Sequence, residues 1–391
     1  MATIQLPNRD GRLESFSLSE APSWPDKAAG SFNRIAYAAV HVVADPFADI
    51  DPFMEAAVDW DATMDFRRRI WDLGLGVAEA MDTAQRGMGM DWPSSLELIQ
   101  RSIDAARDYE GHALVACGTG TDQLVPDGRT TIDDVIRAYE EQCEAVEAAG
   151  GRIVLMASRA LAACATSADD YVSVYGRILS QTSEPVIIHW LGDMFDPALA
   201  GYWGSSDLDR ATDVCLRVLE ENADKVDGIK VSLLDGDREI AMRRCLPDGV
   251  RMYTGDDFNF AELIAGDERG YSDALVGIFD VIAPAASAAL IALSNEDRES
   301  YDSILAPTVP LSRHIFKAPT QFYKTGVVFM AYLNGLQDHF TVVGGQQGAR
   351  SLLHLAELFR LADAARLLSD PDLAVSRMQK VLAVHGIEEA S

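Results

Sequence analysis

The sequence predicts an α/β protein, a (β/α)8 TIM barrel with a C-terminal helical extension. Eight short apolar runs, of the kind that form strands buried on both faces of a parallel sheet, alternate with helix-period segments between residues 34 and 305. Eight such units over about 260 residues match the usual size of a closed barrel. An open doubly wound sheet is disfavoured, because no GxGxxG fingerprint follows the first run.

The first four strands and the three helices between them lie in the first 157 residues. Strands are predicted at the apolar runs that cover residues 35–43, 74–80, 113–117 and 152–157. Helices are predicted at residues 53–72, from Pro93 onwards, and from Thr131 to Gly150. Thr131 and Asp134 resemble a capping box, and Gly150 is typical of a helix end.

The second half of the barrel repeats this pattern. Strands five to eight are predicted at residues 185–190, 227–232, 250–254 and 274–279. Helices are predicted at 169–182 and around the apolar stripe of Ala211, Val214, Cys215, Val218 and Leu219. After Pro310 the chain is predicted to be helical at residues 322–336, 349–368 and 372–385.

Three regions follow from these elements. Residues 1–33 have little periodicity and are interpreted as an N-terminal extension, and residues 34–305 form the catalytic barrel. Residues 306–391 are predicted to be a helical region packed on the barrel or on a neighbouring subunit. No repeat beyond the βα unit is visible.

The charge and composition exclude several classes of partner. The 33 basic and 61 acidic residues give a formal charge of −28, which argues against binding to nucleic acid or anionic membranes. No apolar run reaches the length of a membrane span, and the N-terminus lacks the apolar core of a signal peptide. The five cysteines have no metal-type spacing and suggest reduced thiols. We therefore expect a cytoplasmic protein.

The sixth predicted strand carries the most distinctive residue of the chain. Lys230 follows Gly228 and Ile229 in a run that is expected to be buried. Burial disfavours the charged ammonium group and lowers its pKa. A neutral lysine is a nucleophile that forms a Schiff base with a carbonyl compound, whereas a lysine at a strand end otherwise extends to solvent.

Further candidates lie at the ends of the other strands, because the active site of such a barrel lies at the carboxyl ends of its strands. Lysine attacks a carbonyl, an acid or base moves protons, and a cation with hydroxyl groups holds an anionic substrate group. The polar residues at these positions are Asp45, Glu79, Asp82, Thr83, Thr119, Ser158, Arg159, His189, Lys230, Ser232, Tyr253, Asp256 and Asp257.

Four of these strand ends resemble the class I Schiff-base aldolases of the dihydrodipicolinate synthase and N-acetylneuraminate lyase superfamily. The segments ALVACGTG (113–120), PVIIHW (185–190), DGIK (227–230) and YTGDD (253–257) are similar to the motifs of the family's third, fifth, sixth and seventh strands. The match covers roughly residues 34–300 and indicates a divergent bacterial branch of that superfamily.

The resemblance implies roles for particular residues. Lys230 occupies the position of the family's imine-forming lysine. His189 stands where the family has a proton-relaying tyrosine, and a histidine can titrate near neutral pH. Asp82 and Thr83 fall near the family's carboxylate-binding Thr-Thr pair. An aspartate there would repel a carboxylate, which argues against pyruvate as the substrate.

We therefore predict a cofactor-free lyase or aldolase with no bound metal, acting on a keto acid or keto-sugar-like compound. Lys230 and His189 are predicted to be catalytic. By resemblance, the protein is expected to form a homodimer or homotetramer. The residues predicted to bind substrate are Asp82, Thr83, Thr119, Arg159, Ser232, Tyr253 and Asp256.

Two other functions remain open at this point. Glu79, Asp82, His189 and Asp256 are possible ligands of a metal-dependent isomerase, epimerase or hydrolase barrel. Neither the HxH of metal-dependent amidohydrolases nor an HExxH motif is present. A non-catalytic relative that keeps Lys230 and binds a ligand is the second alternative.

Overall fold

The computed structural model describes residues 2–21 and 23–387. Within them, eight parallel strands close into a barrel, as the sequence predicts. Residues 1, 22 and 388–391, which belong to the two predicted terminal regions, lie outside this description. The predicted (β/α)8 fold with a helical C-terminal region is confirmed.

Each predicted strand corresponds to a strand of the barrel, which is preceded by an antiparallel hairpin of β1 (Thr3–Pro7) and β2 (Leu13–Ser17). The barrel order is β10-β3-β4-β5-β6-β7-β8-β9. Its strands are β3 (Ala36–Ala39), β4 (Gly76–Glu79), β5 (Val115–Thr119), β6 (Arg152–Met156), β7 (Val186–Leu191), β8 (Val226–Ser232), β9 (Arg251–Thr254) and β10 (Asp273–Val276).

The predicted end of the eighth strand is wrong. The run 274–279 is apolar throughout, but β10 ends at Val276 and a helix begins at Ile278. Ile278 and Phe279 are as buried in this helix as they would be in a strand. Periodicity alone does not separate a buried strand from a buried helix in so short a run.

Helices follow the strands around the outside of the barrel. They are α1 (Trp60–Asp72), α2 (Trp92–Arg107), α3 (Ile132–Ala149), α4 (Arg159–Cys164), α5 (Ala168–Leu179), α6 (Leu208–Glu221), α7 (Gly236–Arg243), α8 (Phe260–Ala265), α9 (Ile278–Ser294) and α10 (Arg298–Leu305). The capping box of Thr131 and Asp134 heads α3, and Gly150 ends it in the left-handed conformation, as predicted.

The C-terminal region contains α11 (Thr308–Ile315), α12 (Lys324–Leu333), α13 (Leu352–Ala364) and α14 (Pro371–Val384). Helix α12 packs on α9 of the barrel, and β1 packs on α13 and α14. The N-terminal segment, predicted only as an extension, is thus a hairpin whose Ile4 and Leu6 are buried. In the part of the chain described, no helix is long and apolar enough to cross a membrane.

The barrel interior is layered, because alternate residues of each strand point inward. One buried cluster in the interior contains Tyr37, Ala39, Ala78, Met81, Ala116, Val154, Ile187, Tyr253 and Leu275. His189 lies two residues beyond Ile187, and it pairs across the sheet with Lys230. These two side chains therefore form the next layer, at the carboxyl ends of the strands. We call this end the barrel mouth.

Candidate active site

Lys230 is held in the centre of the barrel mouth. It pairs with His189 on β7 and with Tyr253 on β9, and it is 4% exposed. A Cβ atom on Gly255, the residue after β9, would lie 2.7 Å from Lys230 Cε and 2.1 Å from Ser232 Oγ. Residue 255 must therefore be a glycine for the lysine to occupy this position.

Two carboxylates act on the Lys230 amine. Burial lowers the pKa of Lys230, and the charges of Asp82 and Asp257 oppose this shift. Burial raises the pKa of Asp257, although its Oδ1 accepts a hydrogen bond from the Ile278 amide at 2.7 Å. The Lys230 amine makes no hydrogen bond to any residue in the described ranges. It is thus a buried, uncommitted amine with a buried acid beside it.

His189 is fully buried next to Lys230. Its Nε2 lies 3.1 Å from Ser232 Oγ, and its Nδ1 has no hydrogen-bond partner among the described residues. Burial, and then the charge of Lys230, lower the pKa of His189 well below its usual value. The ring is therefore a neutral imidazole with one uncommitted nitrogen at the cavity wall.

The Asp82–Ala84 turn after β4 meets a tyrosine from the C-terminal region. The Tyr323 hydroxyl donates to Asp82 Oδ2 at 2.7 Å and lies 2.7 Å from Thr83 Oγ1. Burial, and then Asp82, raise the pKa of Tyr323 well above its usual value, so the phenol stays protonated. Asp82, Thr83 and Tyr323 form one hydrogen-bonded group at the mouth.

A second buried lysine follows this tyrosine. Lys324 is 2% exposed, and its amine donates to the Gln321 carbonyl oxygen at 3.1 Å and lies 3.3 Å from Met88 Sδ. Burial lowers the pKa of Lys324, and the charges of Asp82 and Asp196 oppose this shift. The amine has no salt-bridge partner within residues 2–21 and 23–387. Lys324 thus offers a positive charge to the cavity.

A cavity of about 190 Å³ opens at the mouth. Its wall includes His189, Asp82, Lys324 and Arg159. Lys230 is not part of the wall, but it pairs with His189 across the sheet and the charge of Asp82 acts on it. Arg159 is partly committed, because its Nε donates to Asp196 Oδ2 at 2.5 Å. Predicted residues Asp82, Thr83, Arg159, His189, Lys230 and Ser232 are therefore gathered at or next to this cavity.

Thr119 and Asp256, both predicted to bind substrate, point elsewhere. Thr119 is the outward-facing residue at the end of β5, and its Oγ1 lies 3.7 Å from Cys143 Sγ on α3. Asp256 Oδ1 accepts from the amides of Phe258 and Asn259 at 2.8 and 3.0 Å, which closes the turn after β9. Thr119 faces away from the cavity because alternate residues of a strand point to opposite sides. Asp256 faces away because its side chain closes the turn.

Tyr253, also predicted to bind substrate, points towards the opposite end of the barrel. Its hydroxyl donates to Asp227 Oδ2 at 2.6 Å, at the amino end of β8. The ring packs in the interior layer, where a Cβ on Gly228 would lie 2.7 Å from it. A side chain this long spans the barrel interior, so the position of its backbone does not indicate where its hydroxyl lies.

The ligand set of the metal hypothesis is not gathered at one point. Glu79 is fully buried outside the barrel wall, where Arg67 donates to both of its oxygens at 2.9 Å and Ser102 donates to Oε2. Asp256 closes a turn. No group of three or more histidine, cysteine or acidic side chains with metal-binding geometry occurs in the described ranges. Asp82 and His189 remain, at the mouth.

Sequence reasoning assigned no role to three residues of this site, although Asp257 was among its strand-end candidates. Asp257 adjoins Asp256 in the YTGDD segment, and only the turn geometry distinguishes the one that acts on Lys230. Tyr323 and Lys324 come from the C-terminal region, 241 and 242 residues after Asp82. The hydrogen bond between Tyr323 and Asp82 connects this region to the barrel mouth. No local pattern marks either of them.

Solved structures share this architecture at low sequence identity. A putative dihydrodipicolinate synthetase from Pseudomonas aeruginosa matches with a TM-score of 0.62 and 16% identity, over 84% of this chain and 98% of its own. The Acinetobacter baumannii dihydrodipicolinate synthase complexed with pyruvate matches with a TM-score of 0.62 and 14% identity, over 85% of this chain and 99% of its own. A prophage protein of the same family from E. coli K12, in complex with pyruvate, matches with a TM-score of 0.65 and 13% identity, over 86% of this chain and 99% of its own.

These matches confirm the predicted resemblance at the level of the fold. No curated protein sequence matches the chain. A family described as Protein of unknown function (DUF993) matches residues 4–387, which is nearly the whole sequence. The chain therefore belongs to this family, and its barrel has the fold of the dihydrodipicolinate synthases.

Proposed function

We propose that the protein is a lyase or aldolase that acts on a keto compound through a Schiff base on Lys230. The observation that carries this proposal is a buried lysine amine with a lowered pKa and no hydrogen-bond partner in the described residues, placed at the mouth of a barrel. Such an amine is unprotonated in a larger fraction of molecules than a surface lysine, and it is the nucleophile that imine chemistry requires.

The proposed reaction begins with attack of the Lys230 nitrogen on the substrate carbonyl carbon. The carbinolamine loses its former carbonyl oxygen as water, and a protonated imine results. Cleavage of the bond between the α and β carbons sends its electron pair into the imine as an enamine, and a proton leaves the β-hydroxyl group. Protonation of the enamine and hydrolysis of the imine release the second product and restore the amine.

Proton transfers are assigned to the neighbours of Lys230. Asp257, whose pKa is raised by burial, is one of the two acids whose charges act on the amine and would protonate the departing water. His189, a neutral imidazole with an uncommitted nitrogen, would accept the proton of the hydroxyl group. Tyr323 holds Asp82 and Thr83 in place and positions the substrate.

The charges of the cavity wall narrow the substrate class. Asp82 lies near the imine position and would repel a carboxylate attached directly to the reacting carbonyl, which disfavours pyruvate itself. Lys324 offers a positive charge from the wall formed by the C-terminal region. A keto sugar or a longer keto acid, with its anionic group away from the carbonyl, suits this distribution.

The test is trapping with sodium borohydride in the presence of pyruvate, longer keto acids and keto sugars, followed by peptide mass spectrometry. The proposal expects a reduced adduct on the peptide that contains Lys230, and no adduct in Lys230→Ala. Longer keto acids or keto sugars should label more strongly than pyruvate.

Lys324→Met is the matched control, because Lys324 is the other buried lysine of this cavity and methionine preserves its length. The adduct on Lys230 should persist in this variant. An adduct on Lys324 alone would overturn the assignment of the nucleophile. Stabilisation by a keto compound without any adduct would favour the non-catalytic alternative.

The predicted homodimer or homotetramer and the cytoplasmic location stay predictions. Phe47, Phe53 and Met54, in the segment between β3 and α1, are 93%, 75% and 80% exposed. Exposed apolar side chains that lie close in sequence are typical of interaction surfaces, which supports self-association. Light scattering on the purified protein measures the mass in solution and decides between monomer and oligomer.

A further inference from the structure

A second cavity lies outside the barrel, between the N-terminal hairpin and the C-terminal helices. It has a volume of about 610 Å³, within the range of small-molecule sites. The β1–β2 loop forms one side, and α11 with the start of α13 forms the other. We call it the terminal cavity. Its basic residues and histidines are Arg9, His314, Lys317, Arg350, His354 and Arg360.

Most of the positive charge of the terminal cavity is uncompensated. Of its two acidic residues, Glu357 lies 3.6 Å from Arg360, and Glu14 accepts from the Asn8 amide. Arg9, Lys317 and Arg350 form no salt bridge with any residue in the described parts of the chain. Three unpaired cations at one place are unexpected in a chain with a formal charge of −28.

Buried donors in the wall also lack partners. Arg350 is 9% exposed, and its Nε has no hydrogen-bond partner among the described residues. His354 is 5% exposed, and neither of its ring nitrogens has a partner in the same residues. Buried polar groups are normally paired, because an unpaired one costs free energy. The remaining Arg350 donors bind the carbonyl oxygens of Ile315, Lys317, Ala318 and Pro319.

The groups of this cavity repel one another. The pKa of Lys317 is lowered by burial and then by the charges of Arg350 and Arg9. The pKa of His354 is lowered to about 3 by burial and then by His314, Arg350 and Lys317. The centroids of the His354 and His314 rings lie 4.2 Å apart in a stacked arrangement. Burial also lowers the pKa of His314, so both imidazoles are neutral. An anion in the cavity would relieve this repulsion.

We propose that the terminal cavity binds a small phosphate-bearing anion. Arg9 and Lys317 would approach from the rim, and Arg350 Nε and a ring N–H of His354, which are buried behind the wall, would turn to donate when the anion binds. A phosphate group carries a charge of about −1.5 to −2 and three acceptor oxygens, which suits several cations and more than one donor. The cavity has room for a phosphorylated small molecule rather than for the phosphate alone.

The test is isothermal titration calorimetry of the full chain with inorganic pyrophosphate at constant ionic strength. His354→Phe keeps the stacking shape and removes only unpaired nitrogens, and it should weaken binding at least about 10-fold. Lys317→Gln should weaken binding about 5-fold to 10-fold. Lys27→Gln and Arg129→Gln are controls, because these exposed cations lie outside the cavity and should not change the affinity.

The proposal is supported if the cavity variants weaken binding and the two controls do not. Equal affinity in all variants would show non-specific attraction and overturn it, as would the absence of binding in the unmodified protein. Citrate serves as a non-phosphate polyanion, and tighter binding of citrate than of pyrophosphate would overturn the assignment to phosphate. Borohydride labelling of Lys230 in Lys317→Gln is expected to match that of the unmodified protein, which separates this site from the barrel mouth.

Discussion

The barrel mouth and the terminal cavity both gather cations in an acidic chain, but they balance the charge in different ways. At the mouth, carboxylates surround the cations. Lys230 lies within the field of Asp82 and Asp257, and Lys324 within that of Asp82 and Asp196. The protein itself supplies the opposite charge there, so the site can alter the protonation of its own groups.

The terminal cavity shows the other arrangement. Arg9, Lys317 and Arg350 form no salt bridge in residues 2–21 and 23–387, and the charges of Arg350 and Arg9 act on Lys317 more strongly than that of Glu357. The ring nitrogens of His354 are unpaired in the same residues. Cations whose charge is balanced by nearby carboxylates of the protein, as at the mouth, suit chemistry in which protons move. Cations without such carboxylates suit the binding of an anion from solution. The predictions below test this distinction.

Removing a compensated cation should have the largest effect on stability. Arg86 lies beside the mouth, where it bonds Asp122 Oδ1 at 2.7 Å and the Gly118 carbonyl oxygen at 2.6 Å. Arg86→Gln leaves the half-buried Asp122 carboxylate and the buried Gly118 carbonyl group without their charge partner, and it should lower the free energy of unfolding by about 3 to 5 kcal/mol. Lys317→Gln removes an uncompensated cation and should change it by no more than about 0.5 kcal/mol. Urea unfolding of both variants measures this contrast, and similar losses would contradict it.

Filling the space around Lys230 should have the next largest effect. Gly255→Ala places a methyl group 2.7 Å from Lys230 Cε, so the amine must move. Displacement of a reacting group by about 1 Å can cost about 100-fold in rate, and we expect borohydride trapping to slow by this order. Gly348→Ala is the matched control, since its added Cβ would meet no atom within 4 Å. An unchanged trapping rate in Gly255→Ala would be inconsistent with this site.

Removing one carboxylate from the mouth should shift the pH dependence of trapping. The ionised form of Asp257 raises the pKa of Lys230, whereas its protonated form is the proposed proton donor. Asp257→Asn should therefore lower the Lys230 pKa in the pH range where Asp257 is ionised in the unmodified protein. The free amine then forms at lower pH, and the rising limb of the rate profile should move down by about one pH unit. Initial trapping rates between pH 5 and 10 measure the shift. A limb that stays in place would mean that Asp257 carries no charge in the free protein.

A buried acid away from both cavities offers a test that does not depend on either of them. Burial raises the pKa of Glu239 to about 8, although Thr254 and Ser272 donate to its oxygens. A raised folded-state pKa stabilises the protein below the unfolded value of 4.5, and this stability is lost as pH rises towards 8. The loss is about 1.4 kcal/mol per pH unit in this window. Glu239→Gln should flatten this slope in urea unfolding measured at several pH values, and an identical slope would refute the assignment.

Much of the barrel was predictable because its strands are buried on both faces. Such strands consist of continuous apolar runs, and these runs located all eight strands. Lys230 and His189 were identified for a related reason, since each is a polar residue inside such a run, and adjacent parallel strands bring them into register. The N-terminal hairpin was missed, because its short strands are only partly buried and its Pro7 suggests a loop.

Three residues predicted to bind substrate face away from the cavity, because the direction of a side chain depends on more than strand order. Thr119 lies at a strand end as predicted, but alternation turns it towards α3. Tyr253 lies level with Lys230 in backbone position, but its hydroxyl reaches Asp227 at the other end of the barrel. Asp256 was chosen over Asp257 because a two-residue aspartate pair gives no indication of which member closes the turn.

The sequence by itself determined the barrel, its helical extension and the buried lysine, because local periodicity encodes burial of each element. Only the tertiary structure decided which residues complete the barrel mouth and the terminal cavity. Tyr323 meets Asp82 across 241 positions, and Arg360 meets Pro7 across 353. Contacts at such separations arise from the packing of whole elements, so no local pattern of residues predicts them.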